Sequence, residues 1–485
     1  MQLSFQTGKP RLRAAALVAA FAAWVMPAAS LTADTRDIDV SVLLEVLVEK
    51  GILTDAEVER ALERSRRRAE EAAARVGPVA DLRPGVHYEP AEPMGTEPVP
   101  TRVRKFGVET PDGRDRFRIR GRLMADFAYV DWDDAQNTID GDMARYGSII
   151  RRARLGVLGI WNYDWEWQME VDFRDLEVRF ANAYIAYLGW DQSRFAIGHF
   201  KEPFSMESST SSRRITYIER ATPVDAYRPD RELGFLYETI RPNMYAGLGA
   251  FGGDSVVRNR RVTEGFSLAG RASFAPINEE DRFLHIGGSA NYRKNAYRQR
   301  EGRNREYLDV RLRSRLGTRA VDGRMIGLND IPNVKDFSRA ALEFAKGWGP
   351  FAVQGEYLWV DVNRDFGLES LTLEGWYAQA SWFLTGETHS YRAESGDMGA
   401  PMVNNPFGSR DGGPGAWQLA LRYATADSNS RDYDGHAMDH WTLGLNWFPI
   451  PEIVLKLNYA YVDAENLGGE RTTANVFAFR AQLEF

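Results

Sequence analysis

Asp164-Trp165-Glu166-Trp167-Gln168-Met169-Glu170-Val171-Asp172-Phe173 alternates without a break. Trp165, Trp167, Met169, Val171 and Phe173 share one parity, and Glu166, Gln168, Glu170 and Asp172 share the other. Successive side chains of a strand point to opposite faces, so this stretch specifies a strand with one apolar and one polar face. The pattern recurs in Trp417, Leu419, Leu421 and Tyr423 with Gln418 and Arg422 between them, and in Trp441, Leu443, Leu445 and Trp447 with Thr442, Gly444 and Asn446. It recurs again in Ile453, Leu455, Leu457, Tyr459 and Tyr461 against Lys456 and Asn458, and in Phe477 to Phe485 against Arg480, Gln482 and Glu484. Trp and Tyr gather near the ends of the apolar faces, which fits aromatic girdles at two membrane interfaces rather than the interior of a soluble sandwich. Tight turns such as Trp161-Asn162-Tyr163-Asp164 and Pro449-Ile450-Pro451-Glu452 alternate with long polar stretches such as 202–230. The expectation for 117–485 is an all-β, antiparallel transmembrane β-barrel with lipid outside and a polar lumen inside. Seventeen segments read as strands, and an even number is required. Placing 307–316 within a long loop from 294 to 336 leaves all tight turns at one end and a 16-stranded barrel.

Composition narrows the function. The 485 residues include no Cys, which excludes disulfides, thiolate metal sites and thiol nucleophiles. Six histidines (His87, His199, His285, His389, His436 and His440) form no HxH or HExxH pair, so no metal and no cofactor is expected. The net charge of −7 gives no support to nucleic-acid binding, and removing the three cations of the leader described next makes the chain more acidic still.

Residues 1–30 combine a basic start (Lys9, Arg11, Arg13), the uncharged run Ala14 to Met26 and the small residues Ala28-Ala29-Ser30. This is the pattern of a secretory signal peptide, too short for a transmembrane helix. From 36 to 75 the period is helical: Leu43, Leu44, Leu47 and Val48 mark one face, and Thr54-Asp55-Ala56-Glu57 reads as a capping box. A short periplasmic coiled-coil segment is expected there. Residues 76–116 hold Pro78, Pro84, Pro90, Pro93, Pro98, Pro100 and Pro111 without periodicity and read as a linker.

Eight Lys stand against 53 Arg, a bias that GC-rich coding alone would produce, so only position is informative. Arg118, Arg120 and Arg122 alternate with residues of the lipid-facing row. Arg152 and Arg154 fall on the polar parity of their strand, and Arg311, Arg313 and Arg315 repeat the spacing within the long loop. Same-face residues of an extended chain sit roughly 7 Å apart, close enough for an anion to pass between neighbours without full rehydration. Arginine suits such a row because its fork binds phosphate oxygens in paired hydrogen bonds and stays charged. Rings of arginine are one means by which pores select anions. The competing reading is that these arginines balance lumen carboxylates or bind lipopolysaccharide at the rim.

At Phe195-Ala196-Ile197-Gly198-His199-Phe200-Lys201-Glu202-Pro203-Phe204-Ser205 the chain resembles the phosphate-selective porin O and P family. The resemblance continues through Thr210-Ser211-Ser212-Arg213, Ile218-Glu219-Arg220, Arg228-Pro229-Asp230-Arg231, Arg151-Arg152-Ala153-Arg154-Leu155-Gly156, Glu374-Gly375-Trp376-Tyr377 and the terminal Phe485. It implies a trimeric, sixteen-stranded outer-membrane channel, exported and embedded among lipid and lipopolysaccharide, whose third loop, here 202–230, folds inward and narrows the lumen. By the same resemblance Lys201 would be the lumen lysine and Arg213 part of the central anion site, with Arg214, Arg220 and Arg228 beside it. The constriction arginine would fall among Arg118, Arg120 and Arg122, and its carboxylate would be Asp172 or Asp175. Arg152, Arg154, Arg311, Arg313 and Arg315 would form the arginine ladder.

The expected function is therefore an anion-preferring pore for phosphate, pyrophosphate or similar small anions. The alternative is a general diffusion porin in which Glu166, Glu170, Asp172, Glu356 and Glu484 offset the arginines. A hydrolase is not expected, because His199 lies on the lipid parity and His389, His436 and His440 sit at loops or strand ends with no nucleophile elbow. The helical segment 36–75 could serve separately as a tether.

Overall fold

The computed structural model describes residues 107–110, 114–132, 144–174, 178–252, 263–298, 305–327, 329–408 and 412–485. The expected leader, the helical segment and most of the linker lie outside them, as does Asp175. Sixteen strands form the barrel. The first eight are β1 (Arg116–Trp132), β2 (Tyr146–Trp161), β3 (Trp165–Asp172), β4 (Arg179–Trp190), β5 (Ser193–Lys201), β6 (Arg231–Arg241), β7 (Met244–Gly252) and β8 (Phe266–Asn278). The rest are β9 (Arg282–Lys294), β10 (Val334–Trp348), β11 (Phe351–Arg364), β12 (Leu371–Phe383), β13 (Ala416–Asp427), β14 (Ala437–Ile450), β15 (Ile453–Glu465) and β16 (Arg471–Glu484). Each pairs antiparallel with the next, and β16 closes on β1 from Arg122↔Glu484 to Trp132↔Ala474. Closure satisfies every edge, which is what allows a sheet to cross hydrocarbon. Phe485 extends the seam, exchanging backbone hydrogen bonds with Gly121 at 2.9 and 3.1 Å. Its ring lies over Gly121, in the space a Cβ there would need, so a larger residue would have to turn the ring aside.

Residues 307–316 contribute no barrel strand; they lie in the connection 295–333, which carries only two- and three-residue strand pairs. Six of the connections at one end are tight: 162–164, 191–192, 242–243, 279–281, 349–350 and 451–452. The seventh, 384–415, departs from the expected rule of short turns on that side. It folds back into the barrel, where Tyr391, Met398, Met206, Phe283 and Ala345 form one apolar cluster.

The outward parity is mainly apolar, with Leu443, Leu457, Phe477 and Leu483 exposed. Aromatic contacts band both ends: Trp417–Trp447 at 5.4 Å, Phe351–Trp382 at 5.4 Å and Trp165–Tyr187 at 5.1 Å near the tight turns. Tyr423–Trp441 at 4.7 Å, Tyr459–Phe477 at 5.0 Å and Tyr129–Tyr146 at 5.0 Å band the other end. Among the described residues no helix is long and apolar enough to cross a membrane, so strands do the crossing.

The inward parity is not uniformly polar, which corrects the simplest form of the sequence expectation. Toward the long-loop end, β1 and β10–β16 turn inward Val130, Leu358, Val362, Leu373, Val462 and Val476, all buried. They pack against Ile218, Val224 and Tyr227 of the connection 202–230 and against Leu312, Leu316 and Ile331 of 295–333. Two loops are thus held on the inner wall by a dry core.

Candidate functional site

Loop 202–230 enters the lumen through two short helices, α1 (Met206–Ser209) and α2 (Thr222–Tyr227). The wall opposite supplies the donors its backbone lacks. Arg480 gives Nη1 to the Ile218 carbonyl at 2.7 Å, Arg422 gives Nη1 to that of Glu219 at 3.2 Å, and Asn446 reaches Thr216 at 2.8 Å. Gln482 bonds the Arg213 carbonyl at 3.2 Å, and Lys456 bonds that of Ile215. At the loop's start the backbone amides of Met206 and Glu207 donate to the Glu356 carboxylate at 3.0 and 2.7 Å. Buried backbone groups must find partners, so these inward side chains fix the loop's path.

A second set of contacts ties the loop by charge. Glu219 receives Arg151 at 2.5 and 3.1 Å and stands 3.4 Å from Arg480, which itself grips Asp126 at 2.6 and 2.7 Å. Burial alone would raise the Glu219 carboxyl, but the facing guanidiniums of Arg151, Arg319 and Arg480 hold it well below the usual range. Arg151 reaches the interior because of a bulge: Met124 pairs with Arg152 while Ala125 pairs with Ile150, leaving Arg151 as the extra residue. Strict alternation had placed only Arg152 and Arg154 inside; the bulge adds a third.

Across the lumen, Arg120, Arg122 and Arg154 converge on Glu170 at 2.9, 3.1 and 3.1 Å. Glu170 is therefore the carboxylate that the first-strand arginines share, and Asp172 instead pairs with Arg154 at 2.7 Å. Arg122 also donates to Ser212 of the loop at 2.9 Å, bringing loop and wall together. Arg213 and Arg214 both face Glu484, at 3.3 and 2.5 Å. Burial lowers Arg213, and Glu484 offsets it in part. Arg118 has no ion pair among the described residues. Arg152 is buried against the Met124 sulfur at 3.6 Å, again without a carboxylate among the described residues.

At the root of the loop the charge balance differs. Lys201 donates to the Ser208 carbonyl and has Arg220, Arg231, Arg228 and Asp397 as its charged neighbours. Arg220 bonds only carbonyls, those of Glu207 at 2.9 Å, Thr210 at 2.8 Å and Ser208 at 3.4 Å. Burial and the nearby Arg228 push Arg220 down to about 10, so it remains charged at neutral pH. Arg231 meets the Asn182 amide oxygen at 3.1 Å, and Arg339 meets that of Asn291 at 3.2 Å. Arg228 has carboxylates only at 3.7 and 4.0 Å, and the buried Nε atoms of Arg228 and Arg339 have no partner. Lys201, Arg220, Arg231 and Arg339 are thus held by dipoles, and Arg228 by carboxylates at the edge of contact.

The ladder positions of the long loop are brought near the site but not freed. Leu312, Ser314 and Leu316 are buried on one face while Arg311, Arg313 and Arg315 line the other, so the alternation holds. Arg311 and Arg313 share Asp330, and Arg315 lies 3.6 Å from Asp322.

A model of the phosphate-selective porin O and P family matches residues 117–485. The chain belongs to this family. Porin O of Pseudomonas aeruginosa is 27% identical over 393 residues, covering 74% of this chain and 85% of that protein. An uncharacterised protein of Caulobacter vibrioides is 28% identical over 424 residues, covering 84% of this chain and 81% of its own. Among solved structures, OmpT of Vibrio cholerae is similar with a TM-score of 0.48 and 12% identity, over 77% of this chain and 98% of that one. This porin resides in the outer membrane, so its tight-turn end faces the periplasm and its long loops face outward. No group of three or more metal-binding side chains occurs among the described residues.

Proposed function

We propose that this porin prefers small anions, phosphate and pyrophosphate among them, and that loop 202–230 sets the preference. The observation that carries the reading is the cluster at the loop root. Lys201, Arg220, Arg231 and Arg339 have carbonyl or amide partners in place of close carboxylates, and the carboxylates nearest Arg228 stand at 3.7 and 4.0 Å. An anion arriving there replaces protein dipoles rather than displacing a bound acid. Fixed guanidiniums in a confined lumen attract anions far more strongly than the same charges in open water.

A general diffusion pore is the second reading, favoured by the paired state of Arg120, Arg122, Arg154, Arg213 and Arg214 with Glu170, Asp172 and Glu484. Chloride current through single channels in planar bilayers separates the two. The anion reading predicts block by millimolar phosphate, relieved in Arg228→Gln and in Lys201→Met. A chloride current indifferent to phosphate favours the general pore.

We propose no catalytic role. His285 serves Glu343 at 3.2 Å and Tyr391 at 2.7 Å, and His440 serves Thr222 at 3.1 Å, contacts that hold inner segments in place. We further propose a homotrimer among outer-membrane lipid and lipopolysaccharide, exported by the leader over 1–30. Gly107 joins β1 at the periplasmic end, which supports placing the 36–75 segment and the linker on that side.

A further inference from the structure

The two halves of the inner wall differ in what covers them. In the outer half of β11–β16 the inward positions are Leu358, Val360, Leu373, Ala460 and Val476, each at most 3 % exposed. Water cannot wet them, because loops 202–230 and 295–333 share one apolar core with them. Across the lumen the inward side chains of Arg120, Arg154 and Glu166 on β1–β3 keep 12–26% exposure, and Arg213, Arg214 and Arg228 of the loop keep 18–20%.

The inner half repeats the asymmetry from the other end. Loop 384–415 rises from the periplasm against β8–β10, where Arg271 holds the carbonyls of Ser395 and Gly396 at 2.9 and 2.5 Å. The Met398 amide reaches Thr210 at 3.4 Å, so the periplasmic loop meets the underside of loop 202–230. On the opposite wall β1, β3 and β5 present Arg118, Glu166 and Arg194 inward and partly exposed, with the more buried Gln168 between them.

We infer that the conducting track is off-axis: ions pass in contact with the inner faces of β1–β4 and with Arg194 of β5, and the inward residues of β11–β16 in the outer half meet none. The inference rests on the porin reading and adds which wall determines specificity. Glu166, Gln168 and Arg194 then line the exit below the Glu170 cluster, so the last side chains an ion passes include a carboxylate as well as guanidiniums.

The chain has no Cys, so single cysteines report without interference. Gln168→Cys and Asn182→Cys, Ala460→Cys and Val476→Cys all place a thiol on the inward parity. Purified full-length variants in planar bilayers are exposed to a membrane-impermeant sulfonate-bearing methanethiosulfonate, with current and mass recorded. Reaction and a drop in current are expected at Gln168→Cys and Asn182→Cys. At Ala460→Cys and Val476→Cys the rate is expected to fall by about a hundredfold, since a thiol there reacts only after local opening. Unmodified conductance checks folding of each variant, and reaction in denaturant checks that the thiol is intact. Equal rates at both walls, or no reaction at Gln168→Cys, overturn the track. A trimethylammonium reagent that outpaces the sulfonate at Gln168→Cys leaves the track standing and contradicts the anion preference instead.

Discussion

Arg120, Arg122 and Arg154 on β1–β2 and Arg422, Lys456 and Arg480 on β13–β16 are alike in sequence, each an inward-parity cation flanked by lipid-facing residues. Their work is different. The first trio surrounds Glu170 beside the open track, with Arg120 22% and Arg154 12% exposed at the side chain. The second trio is sealed, and each member gives a donor to a loop carbonyl. A cation in a barrel therefore sets selectivity or fixes a loop according to what the opposite side of the lumen supplies.

The sharpest way to break this contrast is Arg480→Met. It strands Asp126 in a dry site and frees the Ile218 carbonyl, and losing one partner of a buried pair costs about 3–5 kcal/mol. Thermal unfolding in detergent should shift down by that amount, while channels that do fold keep their ion preference. A large loss of selectivity with unchanged stability would place Arg480 with the first trio.

His389, in the periplasmic loop 384–415, extends the sealed side. Burial pushes it down to about 4, so it stays neutral in the folded protein while the unfolded chain protonates near 6.5. The unfolded state then binds more protons between these values, and stability falls as pH drops from about 6.5 toward about 4, by about 3 kcal/mol in all. His389→Gln should lose this part of the acid sensitivity, read as thermal midpoint against pH. An unchanged profile would place the ring in contact with water.

On the open side, Glu170→Gln removes the acid shared by three arginines. One unit of charge at such a partly screened site is worth about 1 kcal/mol, so the chloride-to-potassium permeability ratio should rise about fivefold. Arg122→Gln should move it the other way. The smallest effect is expected from Arg311→Gln, whose side chain is 66% exposed beside Asp330. A change below about 1 kcal/mol in stability, with conductance altered only at low salt, is expected of such a surface pair.

Much of the fold was legible because lipid demands an apolar outward face and keeps period two over most of each strand. The strand count, the outward position of Trp417 and Tyr459 and the assignment of 307–316 to a loop all follow from it. The same rule says nothing about the inward face, which is polar where it meets water or a loop's backbone and apolar where it meets a loop's apolar side chains. Val476 and Gln482 occupy the same parity of β16, yet one packs in the core with Ile218 and the other donates to the Arg213 carbonyl. The bulge at Arg151 carries no local signal, since Arg151-Arg152 reads equally well with either residue inside. Glu170 was in view only as a balancing charge, and the shared pairing that singles it out needs β1, β2 and β3 side by side. Loop 384–415 was missed as an inner element because tight turns elsewhere at its end hid the exception.

The central claim is that cations uncancelled by close acids give the lumen its sign, and the zero-current potential of the wild-type channel under a potassium chloride gradient tests it most directly. The account predicts the polarity of a channel that passes chloride in preference to potassium, weakened in Lys201→Met and Arg228→Gln. Potassium permeability above that of chloride would contradict it.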